Sequence, residues 1–174
     1  MKNKILMIIA PSDFRDEELL LPKRFFESKH IKVDVASETR EKSRGMLGAI
    51  STPDLTIDGV DVGEYDAVVF VGGAGVDKHR FYENERCLNI AKNALMRGKV
   101  LAAICLASKT LANAGLLRKR KATCFNSAIN YIKEKGAIYI DKGVVRDINI
   151  ITADGPGAAQ EFAEEIYKYI KSRG

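Results

Sequence analysis

The sequence has 174 residues, 46% of them hydrophobic and 29% charged, which is the composition of a globular protein and excludes an intrinsically disordered chain. Its length predicts a single domain over residues 1–174. Lys and Arg number 28 against 23 Asp and Glu, a net charge of +5, and so small an excess argues against a nucleic-acid-binding protein. The densest basic run, RKRK at 118–121, is therefore interpreted as a solvated corner of the fold.

The apolar start of the chain is short. It covers only Ile5 to Ala10 before Pro11, so we expect neither a signal peptide nor a membrane span, and a cytoplasmic protein. The three cysteines, Cys87, Cys105 and Cys124, are an odd number without metal-ligand spacing. This pattern predicts free thiols in a reducing compartment, with no bound metal or cofactor.

Short runs rich in Val and Ile alternate along the chain with longer segments of helical period. This alternation predicts an α/β fold of three layers, a mostly parallel central sheet between helices, and each predicted strand is apolar on both faces, as central parallel strands are. In chain order we predict strand 4–10, helix 16–28, strand 32–36, strand 67–71, helix 83–97, strand 100–104, helix 107–114, helix 127–135, strand 137–140, strand 149–152 and helix 157–171. Residues 39–61 fit this alternation poorly, and their period-two pieces predict a small hairpin or an edge excursion.

The residues with chemical potential gather at one edge of this predicted sheet. Loops that follow parallel strands all emerge at the carboxyl edge, where sites form in such folds. Cys105 follows strand 100–104, Gly72 and Gly73 follow strand 67–71, and Glu18 follows the first strand. His79 lies in the loop after Gly73 and is able to reach the same edge.

His30 precedes strand 32–36 instead and is placed at the opposite edge, in a structural role.

Cys105 has the surroundings of a nucleophile elbow. A sharp turn from a strand into a helix strains the turn residue and needs small neighbours two positions away, and Ala103 and Ala107 meet that need. A helix N-terminus would expose the sulfur and lower the pKa of its thiol. The alternative is a buried and inert core cysteine, since free cysteine is among the most buried residue types.

Two further features complete a candidate site. A glycine amide from Gly72-Gly73 and the amide of Leu106 are placed to form an oxyanion hole. Glu18 would oppose formation of a thiolate at Cys105 unless its carboxyl group were protonated and donated a hydrogen bond to the sulfur. The alternative for Glu18 is an ordinary acidic residue in the first turn of a helix.

Five motifs in the same order resemble the ThiJ/PfpI family of intracellular cysteine proteases and deglycases, which is part of the class I glutamine amidotransferase-like superfamily. They span nearly the whole chain: FRDEEL at 14–19, YDAVVFVGG at 65–73, GKVLAAICLAS at 98–108, KATCFN at 121–126 and VVRDINIITADGPGAAQEF at 144–162.

The resemblance implies a flavodoxin-like sandwich with Cys105 as the nucleophile and Glu18 as its hydrogen-bonding partner. It also implies oxyanion donors at Gly73 and Leu106 and an aromatic pocket residue at Phe125. Members of the family commonly form dimers or larger rings with the site near the interface. Their activities include peptide hydrolysis, glyoxalase or deglycase chemistry, chaperone action and oxidative sensing.

The chain departs from the protease-like members at one decisive position, because Leu106 stands where they have a histidine. The pair Ala107-Ser108 also replaces their small-Pro pair. One alternative is that His79 supplies the missing base. The other is that His79 is a solvated loop residue without a catalytic role. Without a base, the sulfur of Cys105 is better suited to adding to small carbonyl compounds than to cleaving peptides.

The resulting expectation is a cysteine-dependent stress-response enzyme acting on small carbonyl compounds, or less favourably on peptides, without membrane association. The alternative is a non-catalytic redox sensor or chaperone-like protein in which Cys105 is oxidised to a sulfinate near Glu18. A transient disulfide between Cys105 and Cys124 is a further alternative. Nucleic-acid binding through the RKRK run ranks last.

Overall fold

The computed structural model describes residues 3–174. Its strands are β1 (Lys4–Ile8), β2 (Lys32–Ser37), β3 (Ser43–Arg44), β4 (Ile50–Ser51), β5 (Leu55–Thr56), β6 (Ala67–Phe70), β7 (Val100–Ile104), β8 (Lys121–Ala122), β9 (Ile138–Tyr139), β10 (Val144–Asp147) and β11 (Ile150–Ala153). Its α-helices are α1 (Asp16–Ser28), α2 (Gly75–Lys78), α3 (Glu85–Met96), α4 (Ser108–Asn113), α5 (Ile129–Glu134) and α6 (Ala159–Ser172).

A central sheet of seven strands organises the molecule in the order β10-β11-β7-β6-β1-β2-β5. Every neighbouring pair is parallel except β10 with β11. Helices α1 and α6 pack together as one layer, and α3 packs with α4 as another. The predicted α/β sandwich with a mostly parallel sheet is therefore confirmed.

The middle strands are buried on both faces, which is why their sequences are continuously apolar. All residues of β1 after Lys4, and all of β6 and β7, are buried. Helix α6 adds an apolar stripe with Phe162, Ile166 and Ile170 buried at helical spacing. Strands β1, β6 and β7 lead into the segments that form the candidate site.

The segment predicted as a hairpin or edge excursion contains both. Strands β3 and β4 pair antiparallel, and β5 then returns to extend the main sheet beside β2. The basic run 118–121 lies at the surface apart from Arg120, which is half-buried and pairs with Asp147 at 3.2 Å.

Two predictions for the C-terminal third need correction. The segment predicted as sheet strand 137–140 gives only β9, which pairs with β8 in a separate two-stranded sheet, and Ile138 is 49% exposed there. Strand β10 was not predicted. Only two residues separate it from β11, a connection that is too short for a parallel crossover and therefore makes the pair antiparallel.

Within residues 3–174, no helix is both long enough and apolar enough to cross a membrane. His30 lies in the turn between α1 and β2 with a φ of +59°, at the edge of the sheet opposite the candidate site.

Candidate active site

Cys105 occupies a strained turn at the end of β7. Its φ is +62°, in the left-handed region that non-glycine residues rarely adopt. A short 3-10 turn over Cys105–Ala107 leads directly into α4, and the flanking Ala103 and Ala107 are buried. The small residues thus allow the chain to reverse sharply at the cysteine, as the sequence predicts for an elbow.

Cys105 lines a small cavity but is not exposed at the protein surface. Cys105 is only 6% exposed, so the expectation of an exposed sulfur needs correction. The cavity has a volume of about 210 Å³ and is lined by Arg15, Met46, Gly73, Ala74, Cys105, Leu106, Phe125 and Pro156. Small molecules that enter this cavity meet Cys105 at its wall.

Glu18 lies fully buried in the first turn of α1. Burial, the largest effect, raises the pKa of its carboxyl group to about 8, while the Cys105 thiol, the charge of Arg15 and the Gly72 amide lower it. Among residues 3–174 no group forms a hydrogen bond of normal geometry with either carboxyl oxygen of Glu18. The thiol and the amide therefore change the pKa of the carboxyl group less than burial does. Near neutral pH the carboxyl group is therefore mainly protonated, the state that the sequence argument requires.

The Cys105 thiol responds to the same surroundings. Burial, and then the negative charge of Glu18, raise the pKa of the thiol above its ordinary value, while hydrogen bonds from the amides of Leu106 and Gly73 lower it. The expectation of a lowered pKa, based on the helix N-terminus alone, is thus reversed because burial is the larger effect. These two amides, which favour the thiolate, belong to the residues that the sequence predicts as oxyanion donors.

The glycines of the loop after β6 make room for this arrangement. Gly73 has a φ of +112°, and a β-carbon there would lie 2.3 Å from the backbone nitrogen of Arg15. The carbonyl oxygen of Gly72 accepts a hydrogen bond from that same nitrogen at 2.9 Å. The loop and the start of α1 therefore touch through their backbones, and a side chain at Gly73 would separate them.

Besides Gly72, two further accessory residues were predicted for the site, and they have different outcomes. Phe125 lines the cavity and is 41% exposed, and its amide donates to the Cys105 carbonyl oxygen at 3.3 Å. His79 is exposed, does not line the cavity, and has its Nε2 atom 2.8 Å from the hydroxyl oxygen of Ser12. Within one chain, His79 is therefore not placed to act on Cys105.

Sequence reasoning missed four of the residues that line the cavity: Arg15, Met46, Ala74 and Pro156. Arg15 is part of the FRDEEL motif and directly precedes its acidic residues. Met46 comes from the β3–β4 hairpin, whose position no local pattern indicates. The carboxylate of Asp16 holds that hairpin by accepting hydrogen bonds from the amides of Leu47 at 2.8 Å and Ala49 at 2.7 Å.

Comparisons with known proteins agree with this geometry. The DJ-1/PfpI family model matches residues 3–169. The chain belongs to the DJ-1/PfpI family.

Relatives in this family extend over almost the full chain. An uncharacterized protein of Methanocaldococcus jannaschii is 46% identical, with 98% of this chain and 84% of the relative covered. A deglycase of Thermococcus kodakarensis is 33% identical, with 95% of this chain and 99% of the relative covered. The crystal structure of a ThiJ/PfpI domain protein from Brachyspira murdochii superposes with a TM-score of 0.95 at 33% identity, covering 98% of both chains.

The other two cysteines do not line the cavity. Cys87 and Cys124 are buried free thiols, and burial raises the pKa of both, that of Cys124 to about 12. Among residues 3–174 there is no group of three side chains placed to hold a metal ion. Cys105 is thus the cysteine through which cavity chemistry would proceed.

Proposed function

We propose that this protein is a cysteine-dependent enzyme that acts on small carbonyl compounds or on their adducts with amines and thiols, a deglycase-like activity. One observation carries the proposal: Cys105 lines a small cavity together with Gly73 and Leu106, and its thiol interacts with the buried carboxyl group of Glu18. The relative named a deglycase in Thermococcus kodakarensis supports the same activity.

The proton of the Glu18–Cys105 pair is the first element of the mechanism. Burial disfavours charge on both groups, so the pair holds either one or two protons near neutral pH, and the anionic form has a single negative charge. When the proton resides on Glu18, the thiolate faces a neutral carboxyl group and two amide donors. This is the reactive form of the site.

Addition to a carbonyl group then follows directly. The sulfur of Cys105 bonds to the carbonyl carbon, and the electron pair of the broken π bond moves to oxygen. The amides of Gly73 and Leu106 donate hydrogen bonds to this oxyanion as its charge develops. The proton held by Glu18 then passes to the oxygen, which yields a neutral thiohemiacetal and regenerates the carboxylate.

The cavity favours small carbonyl compounds over peptides. Its volume of about 210 Å³ suits molecules of a few heavy atoms, and among the described residues that line it none is a histidine. Cleaving a peptide requires a proton for the departing amine, whereas carbonyl addition returns the proton that left the sulfur. With Leu106 in place of a histidine, the site is therefore better suited to carbonyl addition than to peptide cleavage.

Turnover of methylglyoxal tests the proposal. Methylglyoxal plus one water has the composition of lactic acid, so lactate formation reports an internal transfer without an external oxidant. We expect lactate from the wild type, background levels from Cys105→Ser, and wild-type levels from Cys87→Ala, the matched change at a buried thiol outside the cavity. A wild type that forms no lactate, or a fully active Cys105→Ser, would overturn the proposal.

A redox-sensing or chaperone-like role is the second proposal, since Cys105 is the cysteine that the cavity makes accessible. It would be favoured if methylglyoxal is not consumed while peroxide oxidises Cys105. We also propose a cytoplasmic stress-response role and assembly into dimers or larger rings. Sedimentation at several protein concentrations tests the assembly.

A further inference from the structure

Arg15 is one of the residues that line the cavity. Of the described residues that line the cavity, it alone has a charged side chain. The side chain is 29% exposed, and its backbone is fixed at the start of α1 by the 2.9 Å hydrogen bond to the Gly72 carbonyl oxygen. Arg15 is therefore within the site, although the proposed carbonyl addition uses none of its atoms.

The partner of Arg15 orients this charge. Glu17 accepts two hydrogen bonds, from Nε at 2.7 Å and from Nη2 at 3.0 Å, and this paired geometry fixes the plane of the guanidinium group. Neither bond uses Nη1. Glu17 does not line the cavity, so of the two members of the ion pair only Arg15 is among the residues of the cavity wall.

The other carboxyl groups nearby do not cancel this charge. Glu18 is mainly protonated near neutral pH because it is buried. The carboxylate of Asp16 is turned to the amides of Leu47 and Ala49 in the hairpin. An anionic group entering the apolar cavity would thus meet one cation and no opposing carboxylate on the wall.

We propose that Arg15 is a specificity-determining residue that binds a carboxylate on the substrate, so that the site prefers small aldehydes with a carboxylate to neutral aldehydes of the same size. Arginine suits this role, since its fixed fork of N–H donors matches carboxylate geometry. The inference rests on the proposed function, because it assumes that the aldehyde carbon is delivered to Cys105.

A pair of matched aldehydes tests the preference. The probes are 4-oxobutanoate and its methyl ester, which share the aldehyde and the two methylene groups and differ in the negative charge. Each is assayed for protection of Cys105 against alkylation by iodoacetamide, a neutral reagent. For the wild type we expect the acid to protect at a concentration about tenfold lower than the ester, as hydrogen bonds to charged groups are among the stronger ones.

Three variants assign the preference to Arg15. Arg15→Gln alone leaves the Glu17 carboxylate unpaired and able to repel the acid, so the double variant Arg15→Gln/Glu17→Gln removes both charges. The measured quantity is the concentration of ester that protects Cys105, divided by the concentration of acid that protects it equally. In both variants this ratio is expected to fall toward one. Arg24→Gln, which removes an exposed positive charge from α1 outside the cavity, is expected to keep the wild-type ratio.

The outcomes separate the two proposals. Equal protection by the two aldehydes in the wild type, or a wild-type ratio in the double variant, overturns the role of Arg15. Protection does not require turnover, so a preference for the acid in a protein that forms no lactate from methylglyoxal would retain the carboxylate site and reject the proposed enzymatic activity on methylglyoxal.

Discussion

A β-carbon on Gly72 would lie 2.5 Å from Oε1 of Glu18. The same atom would lie 2.6 Å from the carbonyl oxygen of Ile104 and 2.7 Å from the β-carbon of Cys105. Gly72 is therefore the point at which α1, the end of β7 and the elbow converge, and the buried carboxyl group reaches Cys105 only because this residue has no side chain.

Gly72→Ala is expected to destabilise the protein by about 1–3 kcal/mol, the usual cost of forcing extra volume into a packed site. Two of its three close contacts involve the elbow and the adjoining backbone, which cannot simply rotate away. Urea unfolding measures the change. The matched control is Gly157→Ala, where a β-carbon would meet nothing within 4 Å, and a loss of stability no larger than in this control would contradict the packing at Gly72.

Glu18 is expected to make stability depend on pH. Its pKa is about 8 in the folded protein against an ordinary value of 4.5. Between these values the folded state retains a proton that the unfolded chain has released. The contribution of Glu18 to the free energy of unfolding is therefore full below pH 4.5 and is lost as the pH rises to about 8, on the order of 5 kcal/mol in total.

The variant Glu18→Gln isolates this contribution, because it keeps the shape of the side chain but does not ionise. Its stability relative to the wild type is expected to increase from pH 5 to pH 9 in urea unfolding. Glu17→Gln is the control, since the ion pair with Arg15 lowers the pKa of Glu17 and its difference from the wild type should stay constant over this range. If the difference in stability between Glu18→Gln and the wild type were also constant, the carboxyl group of Glu18 would not titrate between pH 5 and pH 9.

The same substitution is expected to change the reactivity of Cys105. The negative charge of Glu18 raises the pKa of the thiol, so Glu18→Gln should lower the pH midpoint of Cys105 alkylation and speed the reaction above pH 8. Burial, the larger effect, remains in the variant. The check is the rate of iodoacetamide labelling against pH, and an unchanged or higher midpoint in Glu18→Gln would show that the two groups do not interact as their positions indicate.

Mild peroxide is expected to oxidise Cys105 before Cys87 and Cys124. All three are buried, but among them only Cys105 lines the cavity, and access governs oxidation together with thiolate character. Intact-mass measurement followed by peptide mapping locates the added oxygen, and Cys105→Ser serves as the control that should resist the same treatment. Early modification of Cys87 or Cys124 with Cys105 spared would count against this access.

The parts of the site that sequence reasoning located are those set by local pattern. Cys105 follows an apolar strand and has alanines two residues away on both sides, and Glu18 stands in the first turn of a helix whose period is clear. The carboxyl-edge rule brings such residues together in any parallel sheet. Strand β10 and the β8–β9 pair were missed or misplaced because their segments are short and depend on their neighbours.

The sequence by itself determined the alternation of strands and helices, the elbow at Cys105 and the family, because periodicity, small residues and ordered motifs are local properties of a chain. Only the tertiary structure decided that Cys105 is buried rather than exposed, that Arg15 and Met46 line the cavity and that His79 does not. Those outcomes depend on how distant loops pack across the sheet edge. Burial in turn sets the charge of Glu18 and of the sulfur, since desolvation is a property of the folded surroundings and not of the residue.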